Sequence, residues 1–328
     1  MEERTLGRTG VPVGVVGLGA WQLGADWGEI DEDQAFATLT AAVEAGVTFI
    51  DTADVYGDGR SERLIGAFRR TLTPDRRLTV ATKMGRRAPL EPEHYTLDNF
   101  RAWTDRSREY LGVDTLDLMQ LHCPPSAVLA QDAVFDALDA LVQERRVAAY
   151  GVSVETCDEA LTAIARPGVA TVQIIFNLLR LKPLDEALPT ALKAGVGIIA
   201  RVPLASGLLS GRYDEHTRFN PDDHRNYNRY GQAFDVGETF SGVDYDTGLE
   251  AVRRLAPLVP HGATMAQFAL RWIIDHPAVS VVIPGARNPA QARLNVEAAH
   301  LPPLPEPTHE AAARIYDALV RPTVHSRW

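Results

Sequence analysis

Three short apolar runs each end in a side chain that can carry a proton or a charge. Phe49-Ile50 leads into Asp51, with Tyr56 five residues further on. Val80-Ala81-Thr82 leads into Lys83, and Leu118-Met119-Gln120-Leu121 leads into His122. Together they supply a carboxylate, a phenol, an ammonium and an imidazole, a set able to hand a proton to a carbonyl oxygen. A free phenol, with a pKa near ~10, is a poor acid at neutral pH. An ammonium beside it stabilises the phenolate and is expected to lower that value. Asp51 would pair with Lys83 and keep it charged. His122 would polarise a carbonyl, and Tyr56 would be the general acid in reduction and the base in reverse. Taken singly, these residues read equally as a salt bridge, a core histidine and a loop tyrosine. Their position at the ends of successive strands is what points to chemistry.

The elements that must position them follow from the pattern. Apolar, often β-branched runs occur at 13–17, 48–53, 78–83, 116–122, 148–154, 171–177, 197–202 and 279–284. Near-continuous apolar runs are expected for parallel strands covered on both faces. Between them lie helix-period stretches, such as Val134, Leu138, Leu141 and Val142 on one face. Thr156 with Glu159, and Asp31 with Gln34, have the spacing of capping boxes, and Gly46 and Gly195 stand where helices should stop. Eight strands alternating with helices predict an α/β fold, a (β/α)8 TIM barrel in one domain spanning 1–328. An open doubly wound sheet is disfavoured, because no Gly-x-Gly-x-x-Gly sits on an early strand-to-helix turn. The residues before the first run, with Gly7, Gly10 and Pro12, read as a hairpin plugging the barrel bottom. A final helix is expected over 309–320. The rhythm breaks once, at 212–246, a long loop after strand 7 rich in Asp, Arg, Asn, Tyr and Gly. It reads as a lid or a structureless loop.

In this architecture catalytic groups sit at the C-terminal ends of strands, and neighbouring parallel strands are ~4.8 Å apart, so Asp51, Lys83 and His122 can converge. Composition narrows the partners. The chain has 328 residues, a net charge of −10 and a pI near 5.4, without a basic block, so nucleic acid is not expected. Two cysteines, Cys123 and Cys157, cannot make a disulfide framework. No apolar run approaches the ~20 residues of a membrane span. A soluble cytoplasmic protein is therefore expected, with no metal and no identified protein partner.

The segment Asp51-Thr52-Ala53-x-x-Tyr56-Gly57, followed by Lys83 and His122, resembles the aldo-keto reductase superfamily. So do Gly17-Leu18-Gly19-Ala20-Trp21, Gly151-Val152-Ser153, Gln173, Pro203-Leu204-x-Ser206-Gly207-Leu208-Leu209-x-Gly211, Arg271-Trp272 and Ile283-Pro284-Gly285-Ala286-Arg287. The resemblance covers essentially the whole chain. It implies reduction of a small-molecule aldehyde or ketone by hydride from NADPH, with Asp51, Tyr56, Lys83 and His122 as the tetrad. It also implies that Ser153 and Gln173 hold the nicotinamide carboxamide, and that Gly19, Ala20 and Trp21 touch the cofactor. Two alternatives remain open: a cofactor-binding sensor or docking module with little turnover, and a polyol or sugar dehydrogenase running in the oxidative direction.

Amides of the stretch 206–211 could approach a pyrophosphate closely, with Pro203 and Leu204 leading into it. Arg287 is chosen for the 2′-phosphate, with Gln291 and Asn295 along the following helix, since a helix start favours phosphate. Two departures from the family pattern stand out. Val154 replaces an Asn, and Arg201 stands where a stacking Tyr is common. The Arg201 guanidinium can stack on a planar ring, pair with an acid or meet a phosphate. A cation there would disfavour oxidised nicotinamide. Trp21 and Trp27, with the 212–246 loop, are expected to wall the substrate space beside Tyr56 and His122.

Overall fold

The computed structural model describes residues 1–24, 31–73 and 75–328. Trp27 lies outside them. Strands β1 (Glu3–Thr5) and β2 (Pro12–Gly14) pair antiparallel, Arg4 against Val13. Eight parallel strands follow: β3 (Leu18–Gly19), β4 (Phe49–Asp51), β5 (Thr79–Met84), β6 (Leu118–His122), β7 (Tyr150–Ser153), β8 (Val169–Ile175), β9 (Gly197–Arg201) and β10 (Val279–Val282). They pair in chain order. Parallel bridges Val16↔Val282 and Gly19↔Gly285 join the two edges into a ring. Helices run between the strands, as the alternating pattern requires.

The first strand differs from expectation. The apolar run 13–17 divides: Val13 belongs to the hairpin, Val16 bridges to β10, and the ladder with β4 begins only at Leu18. A continuous apolar run shows burial but not which partner buries it. The hairpin does plug the barrel bottom. Leu6 and Val13 pack with Phe49, Ala81, Leu118, Ile199 and Val281, all at 0% exposure. These five are the inward stripe of their strands, because side chains alternate faces with period two.

Helix boundaries obey local chemistry. Thr156 and Glu159 form the full reciprocal box, whereas Asp31 caps Gln34 N but the Gln34 amide donates instead to the Arg287 carbonyl. The last long helix starts at Glu306, earlier than expected, with Pro307 in its first turn, where a missing N–H costs nothing. The long loop ends at Asp244, which caps the helix Tyr245–Leu255.

That loop is not structureless. It contains the helical turns His224–Tyr227, Val236–Glu238 and Phe240–Gly242, and it buries Asp223, His224, Arg225, Asn228, Glu238, Thr239 and Ser241. Polar bonds, with a cluster of the rings Tyr213, Phe219 and Phe240, take the place of apolar periodicity. Asn228 Oδ1 accepts from Ala233 N and Phe234 N, its Nδ2 donates to Thr239 Oγ1, and Asn177 Nδ2 donates to Ser241 Oγ. No helix among the described residues is long and apolar enough to cross a membrane.

Candidate active site

The inward stripes that fill the barrel also carry the polar residues at its mouth. Asp51 is two residues past Phe49, Lys83 two past Ala81, Gln120 two past Leu118 and Arg201 two past Ile199. Register brings them round one ring: Gly19 opposite Asp51, Lys83 opposite Gln120, His122 opposite Ser153, Ser153 opposite Gln173.

Asp51 is the hub. Its Oδ2 takes Lys83 Nζ at 2.5 Å, and its Oδ1 accepts from Gln173 Nε2 at 2.7 Å and Gln120 Nε2 at 3.1 Å. Lys83 also donates to the Thr52 carbonyl at 2.8 Å and reaches Tyr56 Oη at 3.4 Å. The pair is dry: Lys83 is 1% exposed. A buried charge without a partner would cost several kcal/mol, so the Asp51–Lys83 pair and its amides form one unit. Burial opposes the ammonium, but Asp51 and then Tyr56 outweigh it and hold Lys83 above its ordinary value.

Tyr56 departs from the expectation that Lys83 would lower its pKa. Desolvation raises it, Lys83 only partly offsets this, and the net direction is up. The phenol is thus held protonated at neutral pH, which is the form an acid needs. Its ring stacks on Trp21 at 6.1 Å between centroids and meets His122 edge-on at 6.0 Å. Burial, followed by the cations Arg86, Lys83 and Arg201, drives the His122 pKa well below 6.5. His122 is therefore a neutral imidazole, able to donate one N–H. Its Nδ1 is buried without a hydrogen-bond partner among the described residues.

These groups border a cavity of about 680 Å³, partly open, which extends along the strand ends. Asp51, Tyr56, His122, Ser153, Gln173 and Arg201 line it, and Lys83 lies just beneath. Gly19, Ala20, Trp21, Pro203, Leu204, Ser206, Gly207, Ile283, Gly285, Arg287, Gln291 and Asn295 also line it. Two expected residues do not. Leu209 points into the hydrophobic core, and Gly211 closes the turn 205–210 against Met265. The close approaches are real: a Cβ on Gly207 would fall 2.3 Å from Tyr213 Oη, and one on Gly19 2.9 Å from the Ile283 carbonyl. Ser206 spends its hydroxyl on the loop, donating to the Glu238 carbonyl and accepting from Phe240 N. Asn288 caps the helix Pro289–Glu297, the Gln291 carboxamide oxygen takes Arg287 N, and Asn295 donates to the Gly285 carbonyl.

Sequence reasoning missed part of this site. Gln120 was readable as a polar residue inside an apolar run, which must find a partner. Arg86, Glu155 and Glu238 carried no such signal. They form an ion chain with Arg201: Arg86 Nη2 to Glu155 Oε1 at 3.4 Å, Glu155 Oε2 to Arg201 Nη2 at 2.8 Å, and Arg201 Nη1 to Glu238 Oε1 at 2.5 Å. Of the roles left open for Arg201, the structure shows pairing with acids at the cavity wall. Cys123, Glu155 and Glu238 cluster within 4.8 Å, yet Arg201 holds both carboxylates, a poor setting for a cation. Gln22, also missed, lines the cavity, and its buried Oε1 has no hydrogen-bond partner among the described residues.

Residues 15–317 match the Aldo/keto reductase family. The chain belongs to that family. Membership makes this aldo/keto reductase an NAD(P)H-dependent oxidoreductase. It is 29% identical to the aldo-keto reductase YhdN of Bacillus subtilis over 294 residues, covering 89% of this chain and 86% of that one. Its fold superposes on a glycerol dehydrogenase from Gluconobacter oxydans with a TM-score of 0.77 at 28% identity, covering 94% and 93% of the two chains. A Klebsiella pneumoniae aldo-keto reductase solved in complex with NADPH gives 0.69 at 25% identity, covering 96% of each.

Proposed function

We propose that this aldo/keto reductase reduces an aldehyde or ketone to an alcohol with NADPH, Tyr56 acting as general acid. The observation that carries the reading is the convergence of Asp51, Lys83, Tyr56 and His122 on one wall of one cavity. The relative solved with NADPH supports the cofactor. A nicotinamide held at the strand ends would supply the hydride.

The residues fit such a group. At the strand ends a Cβ on Gly19 would meet the Ile283 carbonyl, one on Gly207 the Tyr213 ring and one on Gly285 the Gln22 side chain, so these positions admit no larger residue. Ser153 and Gln173 stand side by side on the cavity wall. The Gln173 amide nitrogen is taken by Asp51, so its oxygen is the atom left to meet a carboxamide NH2. Arg287 at the start of the helix Pro289–Glu297 suits a phosphate, with Gln291 and Asn295 one face along. Arg212, Tyr213 and Arg225 line the same end from the long loop.

His122 donates its N–H to the carbonyl oxygen and polarises it. Tyr56 then gives its proton to the forming alkoxide, and the resulting phenolate faces the Lys83 ammonium. Asp51, gripped by two amides, keeps Lys83 charged and in place. Trp21, Phe234 and Tyr227 wall the space in front of His122 and Tyr56. The test is cofactor oxidation, followed by its absorbance, over a panel of aldehydes and ketones with wild type and Tyr56→Phe. Loss of turnover with NADPH binding retained supports the reading. Undiminished turnover in Tyr56→Phe sinks the acid role.

A further inference from the structure

Hydride transfer changes the charge of the nicotinamide ring, which is neutral when reduced and cationic when oxidised. Any net charge in the dry end of the cavity must therefore bind the two forms differently. The groups joined in ion pairs there balance one for one. Asp51 offsets Lys83, and Glu155 with Glu238 offsets Arg86 with Arg201. Five of these six come from barrel strands or the residues directly after them. Glu238 alone comes from the long loop, and it borders the cavity itself.

We propose that Glu238 is the charge-compensating residue that sets the relative affinity for oxidised and reduced cofactor, by neutralising Arg201 at the nicotinamide end of the cavity. The inference rests on the cofactor reading above. With Glu238 in place the Arg201 site is neutral and tolerates a cationic ring. With Glu238 withdrawn, a net positive charge remains and favours NADPH over NADP+. The loop thus couples its own position to the redox state of the bound nucleotide.

Glu238 is separable from a mere latch because its segment is anchored without its carboxylate. Ser206 Oγ donates to its carbonyl and accepts from Phe240 N, Asn177 holds Ser241, and Trp328 Nε1 donates to Asp235. Arg201 remains seated through Glu155 and the Val154 carbonyl at 3.0 Å. Glu238→Gln keeps shape and removes the charge.

The experiment measures Kd for NADP+ and NADPH, by titration of intrinsic fluorescence, on wild type, Glu238→Gln and Glu238→Asp. The expected result is a Kd ratio, NADP+ over NADPH, that rises on the order of tenfold in Glu238→Gln, as a unit charge at a separation of about 10 Å would give. Glu238→Asp keeps the wild-type ratio. Equal weakening of both nucleotides, with the ratio unchanged, overturns the proposal and leaves Glu238 a structural contact. A wild type that binds neither nucleotide overturns the cofactor reading as well. Wild-type turnover with an unmoved ratio overturns this inference alone.

Discussion

The barrel mouth and the long loop above it hold charged groups in different ways. At the mouth, Asp51, Lys83, Gln120 and Gln173 extend the inward stripes of a closed sheet, so their placement follows from register and from the apolar layer below. In the loop, Asp223, Arg225, Asn228, Glu238 and Ser241 are buried among polar partners, beside a small cluster of the rings Tyr213, Phe219 and Phe240. The first arrangement is rigid because a one-residue slip would turn every stripe outward. The second is held by bonds that each contribute about 1 kcal/mol net, so it is the part able to open.

Removing the phenol oxygen at the rigid mouth should have the largest effect. Tyr56→Phe is expected to lower kcat by roughly 10²–10⁴-fold with little change in thermal stability, measured by steady-state kinetics and unfolding. A change within tenfold would mean that the mouth does not carry the chemistry. Lys83→Met tests the electrostatic unit. It strands Asp51 at 3% exposure and should cost about 3–5 kcal/mol in denaturant unfolding. A smaller loss would show that the mouth relaxes as readily as the loop.

Asp54, directly before Val55 and Tyr56, sharpens the comparison through pH. It is 1% exposed, and its Oδ2 stands 3.5 Å from Arg87 Nε. Burial, then the charge of Glu62, pushes its pKa up to about 7. The folded state therefore binds a proton that the unfolded state has lost between about pH 4 and 7, and stability falls as pH rises through that window. Asp54→Asn removes the penalty. Its stability relative to wild type should increase by a few kcal/mol from pH 4 to pH 8. A difference that does not vary with pH would show that the carboxylate finds solvent in the native state.

The smallest expected effect is in the loop. Gly242 has φ +73°, and a Cβ there would lie 2.2 Å from the Trp328 ring. Gly242→Ala should cost about 1–2 kcal/mol and speed hydrogen exchange across 223–244 while leaving the strands protected. Equal exchange in both regions would erase the distinction drawn between them.

Legibility followed the same division. The runs ending at Asp51, Lys83 and His122 were readable because a doubly covered parallel strand is apolar until it leaves the barrel, and its first polar residue marks the mouth. Gln120 and Gln173 were visible as polar interruptions, but their shared grip on Asp51 depends on register. The first strand was misplaced because hydrophobicity at 13–17 does not distinguish a plug from a ladder. The loop at 212–246 looked structureless because its order comes from specific pairs distant in sequence, such as Arg201 with Glu238 and Asn177 with Ser241.

The alternation of strands and helices, the polar residues at strand ends and the family they mark are all legible in the amino-acid order. These are local properties, set by side-chain periodicity and by the order of short motifs. The closed barrel adds that burial raises the Tyr56 pKa where Lys83 alone would lower it, that Arg201 is shared between two carboxylates, and that the loop brings one of them. A pKa and an ion pair depend on burial and on distances between residues far apart in the chain, and those exist only once the barrel has closed.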